Sequence, residues 1–328
     1  MGKLVDGKWT AEEDAPPSSD GRYRRAQSRL RNWVTRDGAA GPSGEGGFAA
    51  AAGRYHLYVA YSCPWAHRTM IVRNLKNLAG LVSLTIAMPT RDDEGWRFEA
   101  DPESEFHDAN LGVRHLHQVY TLAEPTYSGR VTVPVLWDKE RRCIVNNESS
   151  EIIRMFNSAF ADLAEPGPDL RPAELRDEID RVNDRVYASL NNGVYRAGFA
   201  TRQEAYEEAV AEVFETLDWL EQRLATRRYL AGDRLTEADW RAFPTLARFD
   251  TAYFGAFKCN KRRLMDYPNL WNYTRELYQM PGVAETVRPE IFKRGYYSKS
   301  VLRNPHGVVP KGPILDFDQP HDRERLTA

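Results

Sequence analysis

The sequence predicts a chain of two unlike halves, an α/β domain built on a small sheet and, after it, an all-α domain. Three observations carry that reading. Between His56 and Phe160 short apolar runs alternate with helical patterns, as when strands are interleaved with helices that cover them. Ala164-Glu165-Pro166-Gly167-Pro168-Asp169 is turn chemistry and reads as a linker. Beyond it Tyr206, Val210, Val213, Phe214, Leu217, Leu220 and Leu224 recur at spacings of three and four, the stripe of an amphipathic helix.

In chain order, residues 1–50 form a polar extension rich in Gly, Pro and Ser. It carries an arginine cluster at Arg22, Arg24, Arg25, Arg29 and Arg31, and is expected to wrap the body or a partner subunit. The α/β domain spans 51–162, with strands predicted at 56–60, 82–86, 133–137 and 143–145, helices at 64–78 and 149–160, and a long irregular insertion after the second strand. A linker at 163–173 leads to the helical domain at 174–290. There Leu175, Ile179, Val182, Val186 and Leu190 mark one helix, and Thr236 to Asp239 reads as a capping box. Pro268 and Pro281 bracket another helix, and 291–328 is a C-terminal extension.

The 328 residues are 42% hydrophobic and 28% charged with a net charge of −2, an ordinary globular composition without the basic excess that nucleic-acid binding needs. No run is long and apolar enough for a signal peptide or a membrane span, so a cytoplasmic location with no membrane partner is expected. Three widely spaced cysteines argue against a disulfide framework.

The most specific chemistry lies in Tyr61-Ser62-Cys63-Pro64-Trp65-Ala66-His67-Arg68. A strand, a turn and a Cys-Pro pair opening a helix place the Cys63 thiol where free N–H groups and the helix dipole favour its anion. Ala66 occupies the position where a dithiol motif carries its second cysteine, so a resolving thiol must come from a small molecule. The plainer alternative is an ordinary buried thiol. His67, one turn away, is a candidate helper of ionisation. Val133-Pro134 reads as a cis-proline turn whose backbone pairs with an extended peptide, or as a simple edge-strand proline. Glu148 and Ser149 open the next helix, where they serve as caps or meet the carboxylate and amine of a ligand.

With Gly95-Trp96-Arg97-Phe98, Thr132 to Asp138, Asn147-Glu148-Ser149 and long arms at both ends, the Cys63-Pro64-Trp65-Ala66 element resembles the glutathionyl-hydroquinone reductases, the Xi class of glutathione transferases. The resemblance, from about Gly21 to about Pro310, implies a thioredoxin-like N-terminal domain followed by an all-helical glutathione-transferase C-terminal domain, with long N- and C-terminal extensions. It also implies glutathione as co-substrate, glutathionylated aromatic substrates and a homodimer. Cys63, Tyr195 and Tyr296 then occupy catalytic positions. Trp96, Arg130, Val133, Pro134, Glu148, Ser149 and Tyr253 occupy substrate- or glutathione-binding ones; Arg97 is otherwise a surface charge and Tyr253 otherwise a core aromatic.

Two rival readings use the same residues: an omega-like thiol transferase or dehydroascorbate reductase, which needs no tyrosines, and a non-catalytic binding module of the transferase fold. His107, His115 and His117 lie close to Asp108 but show no ligand spacing of a known metal site, so no metal is expected.

Overall fold

The computed structural model describes residues 2–11, 18–301 and 303–326. The chain forms two compact units. One takes the described residues of Met1–Ala15 and Gln27–Gly167, the other those of Pro16–Ala26 and Pro168–Ala328.

The first unit holds a three-stranded and a four-stranded sheet. β1 (Lys3–Val5) and β2 (Lys8–Thr10) form a hairpin whose turn, Asp6-Gly7, has both residues at positive φ. An Asp-Gly pair suits that turn because both positions tolerate left-handed backbone. The hairpin pairs through β1 with β5 (Gly129–Arg130), setting Lys3 opposite Arg130. The larger sheet runs β4-β3-β6-β7, with β3 (Tyr55–Val59) parallel to β4 (Val82–Ile86) and antiparallel to β6 (Val135–Asp138), which pairs with β7 (Cys143–Asn146). All five residues of β3 are buried. A central strand covered on both faces therefore reads as a continuous apolar run and not as an alternation. α1 (Pro64–Leu75) makes the crossover from β3 to β4 and packs on α3 (Ser149–Ser158), the arrangement expected of a thioredoxin-like domain.

Several sequence expectations need correction here. β6 begins at Val135, after the cis Val133–Pro134 peptide, because Pro134 has no N–H to give a ladder. α1 stops at Leu75, before Asn77 at φ 55. The insertion is not wholly irregular: α2 (Leu116–Ala123) lies in it, with the Gln118 side chain accepting from the N–H groups of Arg114 and His115 at 2.9 and 3.0 Å. Residues 1–50 are not one extension. The hairpin belongs to the first unit, as do residues 27–50, of which 30–32 run along the β7 edge: Asn32 N–H donates to Val145 O at 2.9 Å and Asn147 N–H to Leu30 O at 3.0 Å. Residues 18–26 belong to the second unit.

The arginines of this stretch are engaged by the protein itself. Arg24 pairs with Asp20, Arg22 with Glu208 and Arg31 with Glu151, while Arg29 donates to Ser128 O.

The second unit is helical. α4 (Arg176–Arg185) continues through a π-helical turn at Val186–Asn191 into α5 (Gly193–Gly198). α6 (Gln203–Leu224) carries the amphipathic stripe. α7 (Glu237–Arg248) starts on the Thr236–Asp239 capping box and passes through a second π turn, Phe249–Tyr253, into α8 (Phe254–Ala256). α9 (Pro268–Tyr278) and α10 (Pro289–Tyr296) follow, each opened by proline. The division between units falls at Gly167/Pro168, inside the expected linker, and α10 begins two residues before the expected C-terminal extension. That tail lies back on its own unit. Phe317 packs on Trp271 and Tyr278, and the buried Arg323 guanidinium donates to the carbonyls of Leu224, Arg227 and Arg228 at 2.6 Å each.

Candidate active site

In the first unit the site is built around the start of α1. Cys63 is its N-cap, with extended backbone (φ −90, ψ 117), Pro64 in the first turn and no acidic side chain there. The Cys63 carbonyl accepts the N–H of His67 at 3.0 Å, closing that turn. Its thiol is partly exposed and donates to Val133 O at 3.5 Å. Sulfur thus sits between a helix N-terminus, which favours an anion, and the carbonyl oxygen of the cis Val133–Pro134 peptide. His67 is fully buried.

Glu148 and Ser149 open α3. Glu148 is the N-cap: Oε1 accepts from Ser150 N–H at 3.1 Å and Ser150 Oγ at 3.0 Å, and Oε2 from Ser28 Oγ at 3.0 Å. Burial works against the Glu148 anion, yet these donors and the Arg68 charge outweigh it and hold the carboxyl below its usual range. Ser149 is buried beside Arg68, whose Nη1 is 3.5 Å from Ser149 Oγ and whose guanidinium lies 4.6 Å over the Trp65 ring.

A lowered Glu148 means stability present above the unfolded carboxyl value and lost as pH falls through the folded one. Glu148→Gln is therefore expected to be less stable than the wild type at pH 7, with the gap closing as pH drops below the ordinary glutamate value of 4.5. Urea unfolding at pH 7 and pH 4 checks this, and a gap of constant size would refute it.

Trp96 and Arg130 are held on other elements of this unit. Trp96 O accepts Leu116 N–H at 2.9 Å, tying the insertion to α2, and the Arg91 guanidinium lies 5.1 Å over the Trp96 ring. Arg130, on β5, has no ion-pair partner for its guanidinium among the described residues. Arg97 is half-buried, and its backbone carbonyl accepts from Met88 N–H at 3.0 Å.

The second unit gathers the three tyrosines. Tyr296 Oη lies 2.7 Å from Tyr195 Oη and 3.0 Å from Tyr253 Oη. Tyr253 is fully buried, so it is a core aromatic whose hydroxyl also joins this network. The Phe257 ring meets all three tyrosine rings within 5.5 Å. Burial first, then the neighbouring phenols, push the Tyr296 hydroxyl well above its ordinary value, so near neutral pH it remains a proton donor. Tyr296 also lines a cavity of about 290 Å³ with Ala256, Tyr297, Asn304, Val308 and Pro310 among its walls. Arg25 lies 4.7 Å over the Tyr195 ring and donates to Asn192 Oδ1 at 2.7 Å.

Comparison with known proteins bears on the whole chain. Models of the glutathione S-transferase N-terminal and C-terminal domains match residues 62–159 and 203–276. The glutathionyl-hydroquinone reductase YqjG of Escherichia coli K12 is 49% identical over 324 residues, 99% of each chain. PcpF of Sphingobium chlorophenolicum, which bears the same description, is 50% identical over 95% of this chain and 96% of its own. This chain belongs to the glutathionyl-hydroquinone reductases. The glutathione-bound structure of YqjG matches with a TM-score of 0.91, covering 98% of this chain and 99% of that one at 48% identity. A Xi-class glutathione transferase from Natrialba magadii matches at 0.90, covering 99% and 97% at 46% identity. This glutathionyl-hydroquinone reductase chain thus has the two-domain transferase fold, a thioredoxin-like part and a helical part.

Sequence reasoning missed three residues of these clusters: Arg68, Ser28 and Arg25. Arg68 had only a weak signal, since the buried residues of α1 also include His67, Thr69 and Arg73. Ser28 and Arg25 had none, since each acts on a residue at least 119 positions away. Among the described residues no helix is long and apolar enough to cross a membrane.

Proposed function

We propose that this chain reduces glutathionyl-hydroquinones to hydroquinones at the expense of glutathione, through a Cys63–glutathione mixed disulfide. The observation that carries the reading is the placement of Cys63 as N-cap of α1 beside Val133 O, in a chain related over nearly its full length to reductases of that description. In the first step the Cys63 thiolate attacks the substrate's glutathionyl sulfur. The S–C bond to the ring breaks, its electron pair passes through the ring to the oxygens, and the ring carbon keeps a proton gained on tautomerisation. In the second step a glutathione thiolate attacks the mixed disulfide, releasing oxidised glutathione and regenerating Cys63.

Roles for the remaining residues follow from their chemistry. The Val133 backbone pairs with the glutathione peptide. Ser149 and the α3 N-terminus favour its γ-glutamyl carboxylate while Glu148 takes the amine. Arg130 offers a planar fork to a carboxylate and Trp96 a flat wall. Tyr195, Tyr296 and Tyr253 donate to the oxygen on which charge develops, a stabilisation realised mainly in the transition state. A cytoplasmic homodimer is part of the same reading, which sedimentation of the purified protein tests.

The test couples steady-state reduction of a glutathionyl-hydroquinone with intact mass measurement. The wild type is expected to turn over and to show an adduct one glutathionyl group heavier, mapped to Cys63. In Tyr195→Phe/Tyr296→Phe, hydroquinone formation falls by roughly 10²-fold, while reduction of a simple glutathione mixed disulfide, whose leaving group is sulfur, changes little. Equal loss on both substrates would remove the tyrosines from the mechanism and favour the thiol-transferase reading.

A further inference from the structure

Glu94, His115 and His117 come together in the insertion between β4 and β5, outside every role assigned above. Gly95, at φ +89, closes a turn in which Asp92 and Gly95 exchange backbone hydrogen bonds of 3.2 and 3.0 Å. This turn stands against the start of α2, where His115 is the N-cap and His117 the second helical residue. Glu94 Oε2 is 3.1 Å from His117 Nε2 and 3.8 Å from His115 Nδ1, and one donor atom from each of the three residues lies within 4.8 Å of the others. The second nitrogen of His115, Nε2, is 3.0 Å from Asp92 Oδ2. The His117 ring stacks on Trp9 at 5.0 Å and on His115 at 5.5 Å, which fixes its plane. His107 takes no part; its Nδ1 is 3.1 Å from Glu99 O.

We propose that Glu94, His115 and His117 bind a divalent transition metal, zinc by their chemistry, with Asp92 orienting His115 from behind. Ligands about 2.0–2.2 Å from a tetrahedral zinc stand roughly 3.3 Å apart, between the 3.1 and 3.8 Å found from Glu94 to the two imidazoles. Two imidazoles and one carboxylate suit zinc and its neighbours but not calcium or magnesium, which take oxygen donors. A carboxylate on the far nitrogen of a ligating histidine is the usual outer support of such a site. The positive end of α2 opposes a cation, and the paired carboxylates of Asp92 and Glu94 offset it. Three protein ligands leave one position open to water. The ion would bolt the 92–95 turn to α2 on either side of Trp96, whose carbonyl is already tied to Leu116.

Zinc titration calorimetry on the full-length protein, without added thiol, tests this against a Cys63 thiolate site. The wild type is expected to bind one zinc ion through this cluster. Glu94→Gln, at a largely exposed side chain whose loss leaves folding intact, weakens that binding ten-fold or more, and His117→Gln does the same. Cys63→Ser retains it. No zinc binding by the wild type, binding that Glu94→Gln weakens by less than ten-fold, or binding that Cys63→Ser abolishes would each overturn the proposal.

Discussion

Cys63→Ser is expected to lower turnover of a glutathionyl-hydroquinone by roughly 10³-fold or more while leaving the melting temperature close to that of the wild type. The stability side follows from position: the Cys63 side chain makes no cap bond to α1, and the substitution exchanges one small polar atom for another at a partly exposed site. The activity side follows from the nucleophile. A serine hydroxyl has no accessible anion near neutral pH and little affinity for sulfur, and the helix N-terminus cannot supply the missing pK units. Neither of the other thiols can substitute. Cys259 is fully buried and burial pushes it up to about 12, and burial with the nearby Asp138 raises Cys143 as well. With Ala66 in the second motif position, the wild-type adduct must wait for external glutathione, so omitting glutathione from a single-turnover mixture should leave the mixed disulfide in place. Initial rates and intact masses of both proteins check this. Serine activity above a few per cent of wild type would show that the thiolate is not the nucleophile.

Asp239→Ala should be among the most destabilising single substitutions in the helical unit. Asp239 is fully buried at the third position of α7 and accepts from Leu230 N–H at 2.8 Å, Thr236 N–H at 2.8 Å, Thr236 Oγ at 3.1 Å and Tyr273 Oη at 2.6 Å. One carboxylate thereby fixes the loop before α7, the helix start and α9. Removing it strands at least three buried donors, each costing about 1–3 kcal/mol. A net loss of roughly 3–5 kcal/mol is expected, which lowers the melting temperature by on the order of 10 °C. Thr236→Ala, which removes only the capping hydroxyl, should cost about 1 kcal/mol. Calorimetry of both variants checks the ranking, and equal costs would mean that Tyr273 and Leu230 find other acceptors.

Much of the fold was legible because its signals are local. β3 reads from the run His56 to Ala60, α1 from Cys63-Pro64, α6 from its stripe, and α7 from Thr236 and Asp239. The β1–β2 hairpin had a signal too, the Asp6-Gly7 turn, but its strands are three residues long and bury only Leu4 fully. α2 escaped because it is eight residues long and begins at a histidine instead of Ser, Thr, Asp or Asn. The π turns at Val186–Asn191 and Phe249–Tyr253 have no sequence mark at all.

The site divides the same way. Cys63 next to Pro64 is visible in the string, and so are Glu148 and Ser149 at a helix start. The hydroxyl network of Tyr195, Tyr253 and Tyr296 joins residues up to 101 positions apart. Only the closed fold reveals it.

The chain passes between its two units three times, once between the described residues 11 and 18, and again at 26/27 and 167/168. Cutting the gene at the third crossing would therefore not release a self-sufficient helical module. The piece beginning at Pro168 would lack Gly21, whose carbonyl accepts Thr201 N–H, and Arg22, the partner of Glu208. It would also lack the guanidinium of Arg25 above Tyr195. A recombination event that swapped in a foreign helical half would inherit a tyrosine deprived of its cation. The stitched order of the polypeptide thus makes the two halves inheritable only together.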